Sequence, residues 1–574
     1  MPLHTKHNVA LSSTRLLSEA DRSYRAGRET DAIYYSTEAL CTGLHNKFDN
    51  AGRRLPQSES SLVSILGELN CDAPPVSKPY DPAVGFPLIH QRCLLFPEQW
   101  TIFQINKSYT PRWNLLTHQQ RLQERTSIDL VLFTYPNSEI MGGKPIMIRI
   151  DPPNDLEFYS LVSSIPVKVK KDLQEECESG LLRHEEMETY ISNVIDRLTA
   201  FLGPWIVLFS GKFISSKDQQ VEAEIFNRVE DFCIVNKRSK RDQVLISLVA
   251  RRLDMIDQET IYRFCFKMTS SDESLLTKLF NFLVDLKERK FDQNQRLDCY
   301  PCLMIVGELV DCYPWEAVNT NQEFSRLGSF RILWQLYEAH KANILRGYLR
   351  VPVKNCYNII NPDKSLVKMS ARLQAFYKEW YPEFKLIVDQ PPADGELSTI
   401  LQEADVMIYN GHGSGLQFMD GDTILQHNIK SLIFLFGCDS VRLFPKGLFS
   451  EMTGSHLYYN IAKCAAIVGA LWVLTDFYTD YYSIMLVGGW IPTGNPKMRE
   501  YSVTDLDPSA FKNGTLVLQN KPNLVLEEHC EDNLLSLMAL FRRRKWLPKR
   551  IRYAMVCRGL PTINDTYFDD NLSD

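Results

Sequence analysis

Apolar residues recur with two different periods along this chain. Over residues 12 to 48, Ala20, Tyr24, Ala32, Tyr35 and Ala39-Leu40 fall at helical spacing with Gly27 between the runs, which predicts a helical pair. Residues 50 to 92 hold Pro56, Pro74-Pro75, Pro79, Pro82 and Pro87 among serine and aspartate, the composition of a linker. From Trp100 the pattern turns to strands over 100–105, 127–134 and 145–150, and Gly142-Gly143 between the last two predicts a hairpin. Residues 167 to 205 return to a charged 3.6-residue period, an antiparallel helical insert. A buried strand follows at Cys302-Leu-Met-Ile-Val. From residue 355 strands alternate with helices, the strands over 356–360, 384–388, 406–409, 432–436, 465–472 and 553–557. Near-continuous apolar strands separated by helices predict an α/β unit whose mostly parallel sheet is covered on both faces.

Composition narrows the class. At 574 residues the chain has room for about three or four domains. It is 44% hydrophobic and 23% charged, enough to bury full cores without disulfides. A net charge of −6 gives no field for nucleic acid or an acidic membrane, so no direct binding to either is expected. The apolar run 465–474 is cut short by Thr475-Asp476, and the first residues lack the apolar stretch of a secretory signal. The 14 cysteines sit mostly in apolar runs and read as reduced, buried thiols. Cys299-x-x-Cys302 has no second pair at zinc spacing, so no metal or cofactor is expected. The basic run Lys237-Arg-Ser-Lys-Arg241 reads as a solvated loop or an import signal, and Arg542-Arg-Arg-Lys as a solvated helix end or a contact to an acidic partner.

Two strand ends carry chemistry. Val406-Met-Ile-Tyr-Asn runs into Gly411-His412-Gly413-Ser414-Gly415, and Ile433-Phe-Leu-Phe runs into Gly437-Cys438-Asp-Ser440. Parallel sheets place their sites at the carboxyl ends of strands, so adjacent strands about 4.8 Å apart bring His412 and Cys438 to one rim. A thiol is mostly protonated at neutral pH and an imidazole activates it, while the amides of Gly413 and Cys438 are candidates for an oxyanion hole. Alone, His412 reads as a turn histidine and Cys438 as a core thiol, and the glycines lack the Lys-Ser/Thr of a Walker phosphate loop and the full dinucleotide fingerprint. Together they point to a cysteine hydrolase.

These segments resemble separase, the caspase-like cysteine protease of chromosome segregation. Asn361-Pro362 resembles the first strand and turn of the protease, and Pro314-Trp315-Glu316 with Ser325-Arg326 resembles the segment preceding it. Leu471-Trp472, Thr475-Asp476 and Asp480 resemble the strand and loop after the nucleophile, and Tyr553 to Pro561 the last strand. The resemblance covers roughly residues 300 to 565, more weakly from about 95. It implies a caspase-like mostly parallel sheet over 346–574, preceded by an α+β substrate-binding domain with a helical insert over 93–345 and a short helical region and linker over 1–92. It also implies cleavage after arginine in Glu-x-x-Arg sequences of the cohesin kleisin, inhibition by a securin-type pseudosubstrate, and action in the cytoplasm and nucleus. His412 and Cys438 would be the dyad. Asp480, Asp476 and Trp472 would belong to the substrate pocket, although Asp476 also reads as a turn cap and Asp480 as an exposed carboxylate.

The usual Leu-Trp-Asp-Val-Thr-Asp of the family is here Leu-Trp-Val473-Leu474-Thr-Asp, and Asp439 follows Cys438 where serine is common. Most separases carry a long N-terminal helical-repeat arm. Fewer than a hundred residues precede the strand-rich region here, so a separate helical-repeat subunit is expected to replace it. The pair over 12–48 resembles one tetratricopeptide repeat, which cannot cover its own apolar faces and docks either on that subunit or on this chain's own core. Two Glu-x-x-Arg sequences, Glu19 to Arg22 and Glu323 to Arg326, are candidate self-cleavage sites, but the first also reads as an ordinary i,i+3 helical pair and the second lies inside the separase-like segment. A metacaspase-type protease and a degenerate protease-like scaffold are the alternatives.

Overall fold

The strands predicted from the two apolar periods assemble into one sheet. The computed structural model describes residues 9–52, 80–179, 184–270, 272–290, 297–445, 452–491 and 533–565. Residues 1–8 and most of the expected linker, 53–79, lie outside them. The sheet has 11 strands. In chain order they are β1 Thr101–Lys107, β2 Ile128–Thr134, β3 Ile146–Ile150, β4 Cys302–Val306 and β5 Phe324–Leu327. They continue as β6 Cys356–Ile360, β7 Lys385–Val388, β8 Val406–Asn410, β9 Leu432–Leu435, β10 Ala466–Ala470 and β11 Met555–Gly559. In space they run β3-β2-β1-β4-β5-β11-β10-β9-β8-β6-β7.

Pairing is parallel from β1 through β4 and β5 to β11, and again from β10 through β9, β8 and β6 to β7. The β1–β2, β2–β3 and β10–β11 pairs are antiparallel. Every residue of β4 and of β8 to β11 is buried. Helices on both faces leave no polar side for these strands, which is why they read as unbroken apolar runs.

Strand β5 was not predicted, because Phe-Ser-Arg-Leu lacks an apolar run. Its polar residues are satisfied inside. Ser325 Oγ donates to the Gly559 carbonyl at 2.6 Å, and Arg326 pairs in a fork with Glu316, Nε to Oε1 at 2.7 Å. Beside it Arg558 makes a bidentate pair with Asp311 at 2.9 and 2.7 Å. These pairs lie where β5 meets β11, so the expected boundary at 345/346 falls within a continuous sheet.

The helical pair is α1 Val9–Arg25 and α2 Glu29–Gly52. It docks on the chain's own sheet. Arg149 of β3 bonds Asp129 and reaches Asp21 of α1 at 2.7 Å, with its guanidinium 4.1 Å above the Tyr24 ring. Glu29 accepts from the Met147 amide at 2.8 Å, and Glu38 pairs with Arg331 at 2.7 Å.

Part of the expected linker is instead helix α3, Pro82–Cys93, which starts with Asp81 capping the Ala83 amide at 2.9 Å and proline in the first turn. In the basic run at 237–241 the two lysines are exposed, while Arg238 donates to the Met268 carbonyl at 2.8 Å and Arg241 pairs with Glu29. Arg542 is buried and donates to the Gln322 carbonyl at 2.6 Å, so the first residue of the 542–545 run is not solvated, whereas Lys545 at the helix end is exposed. Helix packing at positions remote in sequence decided both, which local composition does not report. The stretch Glu185–Leu208 is long and apolar enough to cross a membrane by composition. In the fold its apolar residues Ile191, Val194, Leu198 and Leu202 lie in the core.

Candidate active site

Strands β8 and β9 run parallel with every pair offset by 26 residues, Val406 beside Leu432 and Tyr409 beside Leu435. His412 and Cys438 have the same offset and lie just beyond the last paired residues. The two chains therefore leave the sheet at one height on the carboxyl rim, where parallel sheets carry their sites. The Phe436 amide extends the ladder to the Tyr409 carbonyl at 2.8 Å.

The loop after β8 is braced from below. Tyr409 Oη donates to the His412 carbonyl at 2.9 Å, and Gln417 Nε2 donates to Tyr409 Oη at 2.9 Å and to the same carbonyl at 3.2 Å. Gly413 takes φ +65°, a conformation that disfavours a side chain. Gly437 is where the two loops touch: a Cβ there would lie 2.0 Å from the Gly413 carbonyl oxygen. Gly437→Ala is therefore expected to push the rim apart, lowering stability by about 1–3 kcal/mol and slowing alkylation of Cys438. Wild-type melting and alkylation rates in that variant would show that the rim yields without cost.

Cys438 sits on a tight elbow. Asp439 has φ +55° and its amide donates to the Trp472 carbonyl at 3.2 Å. Ser440 Oγ ties the turn to both neighbouring strands, donating to the Leu435 carbonyl and accepting from the Ala470 amide, each at 2.9 Å. The thiol accepts from the Leu474 amide at 3.3 Å and donates to the Leu474 carbonyl at 3.6 Å. Burial pushes the thiol above its ordinary value. The Leu474 amide opposes this, and the charges of Asp439 and Asp476 reinforce it. The surroundings of Cys438 thus favour the protonated thiol.

The His412 imidazole is half exposed, with Nε2 2.9 Å from Ser365 Oγ. Ser365 Oγ in turn donates to Asp363 Oδ1 at 3.0 Å, and Asp363 Oδ2 lies 4.0 Å from Nε2. The turn that presents both residues follows β6, the strand next to β8. Asn361 pins it: φ is +52°, its amide donates to the Asn410 carbonyl at 2.8 Å, and its Oδ1 caps the Leu366 amide at 2.8 Å. Asn361-Pro362 therefore matters by carrying Ser365 and Asp363 to the histidine. Neither residue was singled out from sequence, although a turn leaving the neighbouring strand end was the available signal.

Neither the imidazole nor the thiol bonds the other, and among the described residues the amides of Gly413 and Cys438 donate to no other residue. The rim thus holds a thiol, an imidazole braced from behind, and two amides that donate to no other residue, that of Cys438 lying against its own sulfur.

The expected pocket residues divide. Asp476 begins the helix Asp476–Trp490 and is exposed, where a carboxylate favours the helix dipole. Asp480, one turn further, is buried and ion-paired with Arg372 of the helix Val367–Trp380, whose Nε is 2.8 Å from Oδ2. It is not an exposed carboxylate. Burial pushes the Asp480 carboxyl up to about 7, against the opposing pull of Arg372. Trp472 is corrected: it is fully buried and its Nε1 donates to the Arg550 carbonyl at 2.7 Å, so its ring belongs to the core and only its backbone borders the site. No cluster of three or more metal-ligating side chains occurs among the described residues. Cys299 and Cys302 are both buried.

Comparison with known proteins agrees with this geometry. The family described as "Separin, protease domain" matches residues 182–477, about half of the chain. The separin of Mus musculus is 32% identical over 197 residues, 33% of this chain and 9% of that protein. The separin of Saccharomyces cerevisiae is 25% identical over 190 residues, 31% of this chain and 11% of that protein. The matches thus span about a tenth of the relatives' own length. The crystal structure of the Saccharomyces cerevisiae separase–securin complex at 2.6 Å superposes with a TM-score of 0.65 at 14% identity, covering 96% of this chain and 36% of that one. A shared fold at such low identity, a caspase-like sheet with one register at its rim, and a family match that includes both His412 and Cys438 converge on one assignment: the chain belongs to the separin family and carries its protease domain.

Proposed function

We propose that this chain is a cysteine endopeptidase of separase type, with Cys438 as nucleophile and His412 as general base. The observation that carries the reading is the common register of the two strands, which brings both residues to the rim at one height beside amides that donate to no other residue. His412 takes the thiol proton as sulfur attacks the scissile carbonyl carbon. The Gly413 and Cys438 amides hold the resulting oxyanion, a contribution of about 3 kcal/mol per donor. Collapse breaks the C–N bond, the imidazolium gives its proton to the departing amine, and water deprotonated by His412 then hydrolyses the thioester.

The substrate reading follows the family. It is cleavage after arginine in Glu-x-x-Arg segments of the cohesin kleisin, in the cytoplasm and nucleus, with Asp480 as the carboxylate for arginine and Asp476 at the pocket mouth. A securin-type inhibitor is the proposed partner, since the yeast structure that superposes is a separase–securin complex. A helical-repeat subunit, if it docks through the α1–α2 hairpin, uses the outer face, because the inner face covers this chain's own sheet. Neither internal Glu-x-x-Arg suits self-cleavage: Arg326 is fully buried, and Glu19 pairs with Arg22 within α1.

The test is labelling by an arginyl acyloxymethyl ketone of the protein isolated with its partners and freed of inhibitor. Labelling of wild type and not of Cys438→Ala is expected. Equal labelling of both, or of neither, would leave the domain as a scaffold without a working thiol.

A further inference from the structure

The carboxylate assigned to a substrate arginine already holds an arginine of this chain. Both Arg372 donors, Nε at 2.8 Å and Nη2, converge on Oδ2 of Asp480. No Arg372 donor reaches Oδ1. Asp480 is 1% exposed while Arg372 is 14% exposed, so of the two partners the arginine is the one in contact with solvent. Its Cζ is 5.7 Å from the centre of the Phe477 ring. The site is joined to the reacting atoms at both ends. Leu474, which bonds the Cys438 thiol, lies just ahead of the helix bearing Asp480, and the turn that holds Ser365 on His412 leads directly into the helix bearing Arg372.

We propose that Arg372 is a specificity-determining residue of this protease: its guanidinium fills the carboxylate site of Asp480, and a substrate side chain enters only by displacing it. The proposal rests on the reading of Asp480 as the pocket carboxylate. Displacement exchanges one planar fork for another at the same oxygen, and the released Arg372 head reaches water. Another guanidinium therefore compensates the buried carboxylate, whereas a neutral side chain leaves it unpaired. An ammonium lacks the planar fork and compensates less well. The internal arginine thus acts as a competitor that only a guanidinium outbids, which sharpens selectivity at the expense of affinity.

The test compares wild type, Arg372→Gln, Arg372→Lys and Asp480→Asn. The probes are the arginyl acyloxymethyl ketone, its citrulline counterpart and iodoacetamide, the last reporting thiol integrity. Asp480 is faced by Arg372 and Asp476, and losing Arg372 raises its carboxyl further, so binding is read at pH 8.5, where the carboxylate form is favoured. In Arg372→Gln the half-saturation concentration for the arginyl probe should fall roughly tenfold, with the limiting rate unchanged. The preference for arginine over citrulline should narrow. Arg372→Lys, which keeps the charge without the fork, should fall between, and it carries the test if the glutamine variant folds poorly. An unchanged or weakened arginyl affinity in the variants that fold overturns the proposal, since Arg372 then only shapes the helix pair. If Asp480→Asn leaves arginyl affinity intact, the pocket itself is misassigned, a failure distinct from that of Arg372 alone.

Discussion

Replacing His412 by alanine should lower kcat/KM for an arginyl peptide by ~10²–10⁴-fold, and Cys438→Ala should abolish turnover. The reason lies in the state of the thiol. Burial, with Asp439 and Asp476 acting in the same sense, holds it above the ordinary thiol value. Little thiolate therefore exists at neutral pH without a base, and the imidazole supplies what the environment withholds. The pH dependence has a definite sign. A raised value favours the protonated thiol, so alkylation of Cys438 by iodoacetamide in His412→Ala should keep climbing with pH beyond the ordinary thiol range. A plateau near neutrality would mean that an undescribed charge activates the sulfur. Turnover by Cys438→Ala would assign proteolysis to another residue.

The second large effect is on stability. Glu316→Ala is expected to destabilise the fold by about 3–5 kcal/mol, because it leaves a buried guanidinium without its counter-charge. Arg326 is wholly inaccessible, and besides its fork with Glu316 it donates to the Asp311 and Tyr313 carbonyls. Replacing both partners by methionine should recover most of that loss, since breaking a buried pair costs far more than removing it.

The pair also predicts a pH signature. Burial pushes the Glu316 carboxyl up, but the Arg326 charge and hydrogen bonds outweigh it and hold the group below its usual value. Its contribution is thus fully present above the unfolded value, about 4.3, and is lost as the pH falls through the lower folded value. The gap in melting temperature between wild type and Glu316→Gln should therefore be widest near neutrality and narrow in acid. A gap independent of pH, or a double variant no better than the single, would show that the pair does not hold the seam electrostatically.

The Glu316–Arg326 pair also shows how legible this protein was. Pro314-Trp315-Glu316 and Ser325-Arg326 stood out in the sequence only as resemblance. The fold supplies the reason they go together, a fork of hydrogen bonds that makes a polar strand tolerable in the middle of the sheet. Strand β5 was invisible for the same reason, since its burial is compensated by partners distant in the chain. Helix α3 was hidden by its own prolines, Pro82 at its start and Pro87 inside it. The Asp81-Pro82 start was the local signal to follow.

What the chain determined by itself was set by short-range physics. Apolar runs without a polar face dictated buried parallel strands, and glycine on either side of His412 and before Cys438 marked strand ends where backbone approaches backbone. Their 26-residue spacing was legible too, but its meaning was not. It matters because β8 and β9 pair with that same offset, and the register of a parallel ladder is chosen by packing across the sheet. The rest depended on residues far apart in sequence. Ser365 reached His412 because Asn361 ties its turn to the end of β8. The Trp472 ring turned inward to the Arg550 carbonyl, and Asp480 acquired Arg372 from a neighbouring helix. A buried polar group takes whatever partner the folded chain places within about 3 Å, and that choice belongs to the tertiary structure alone.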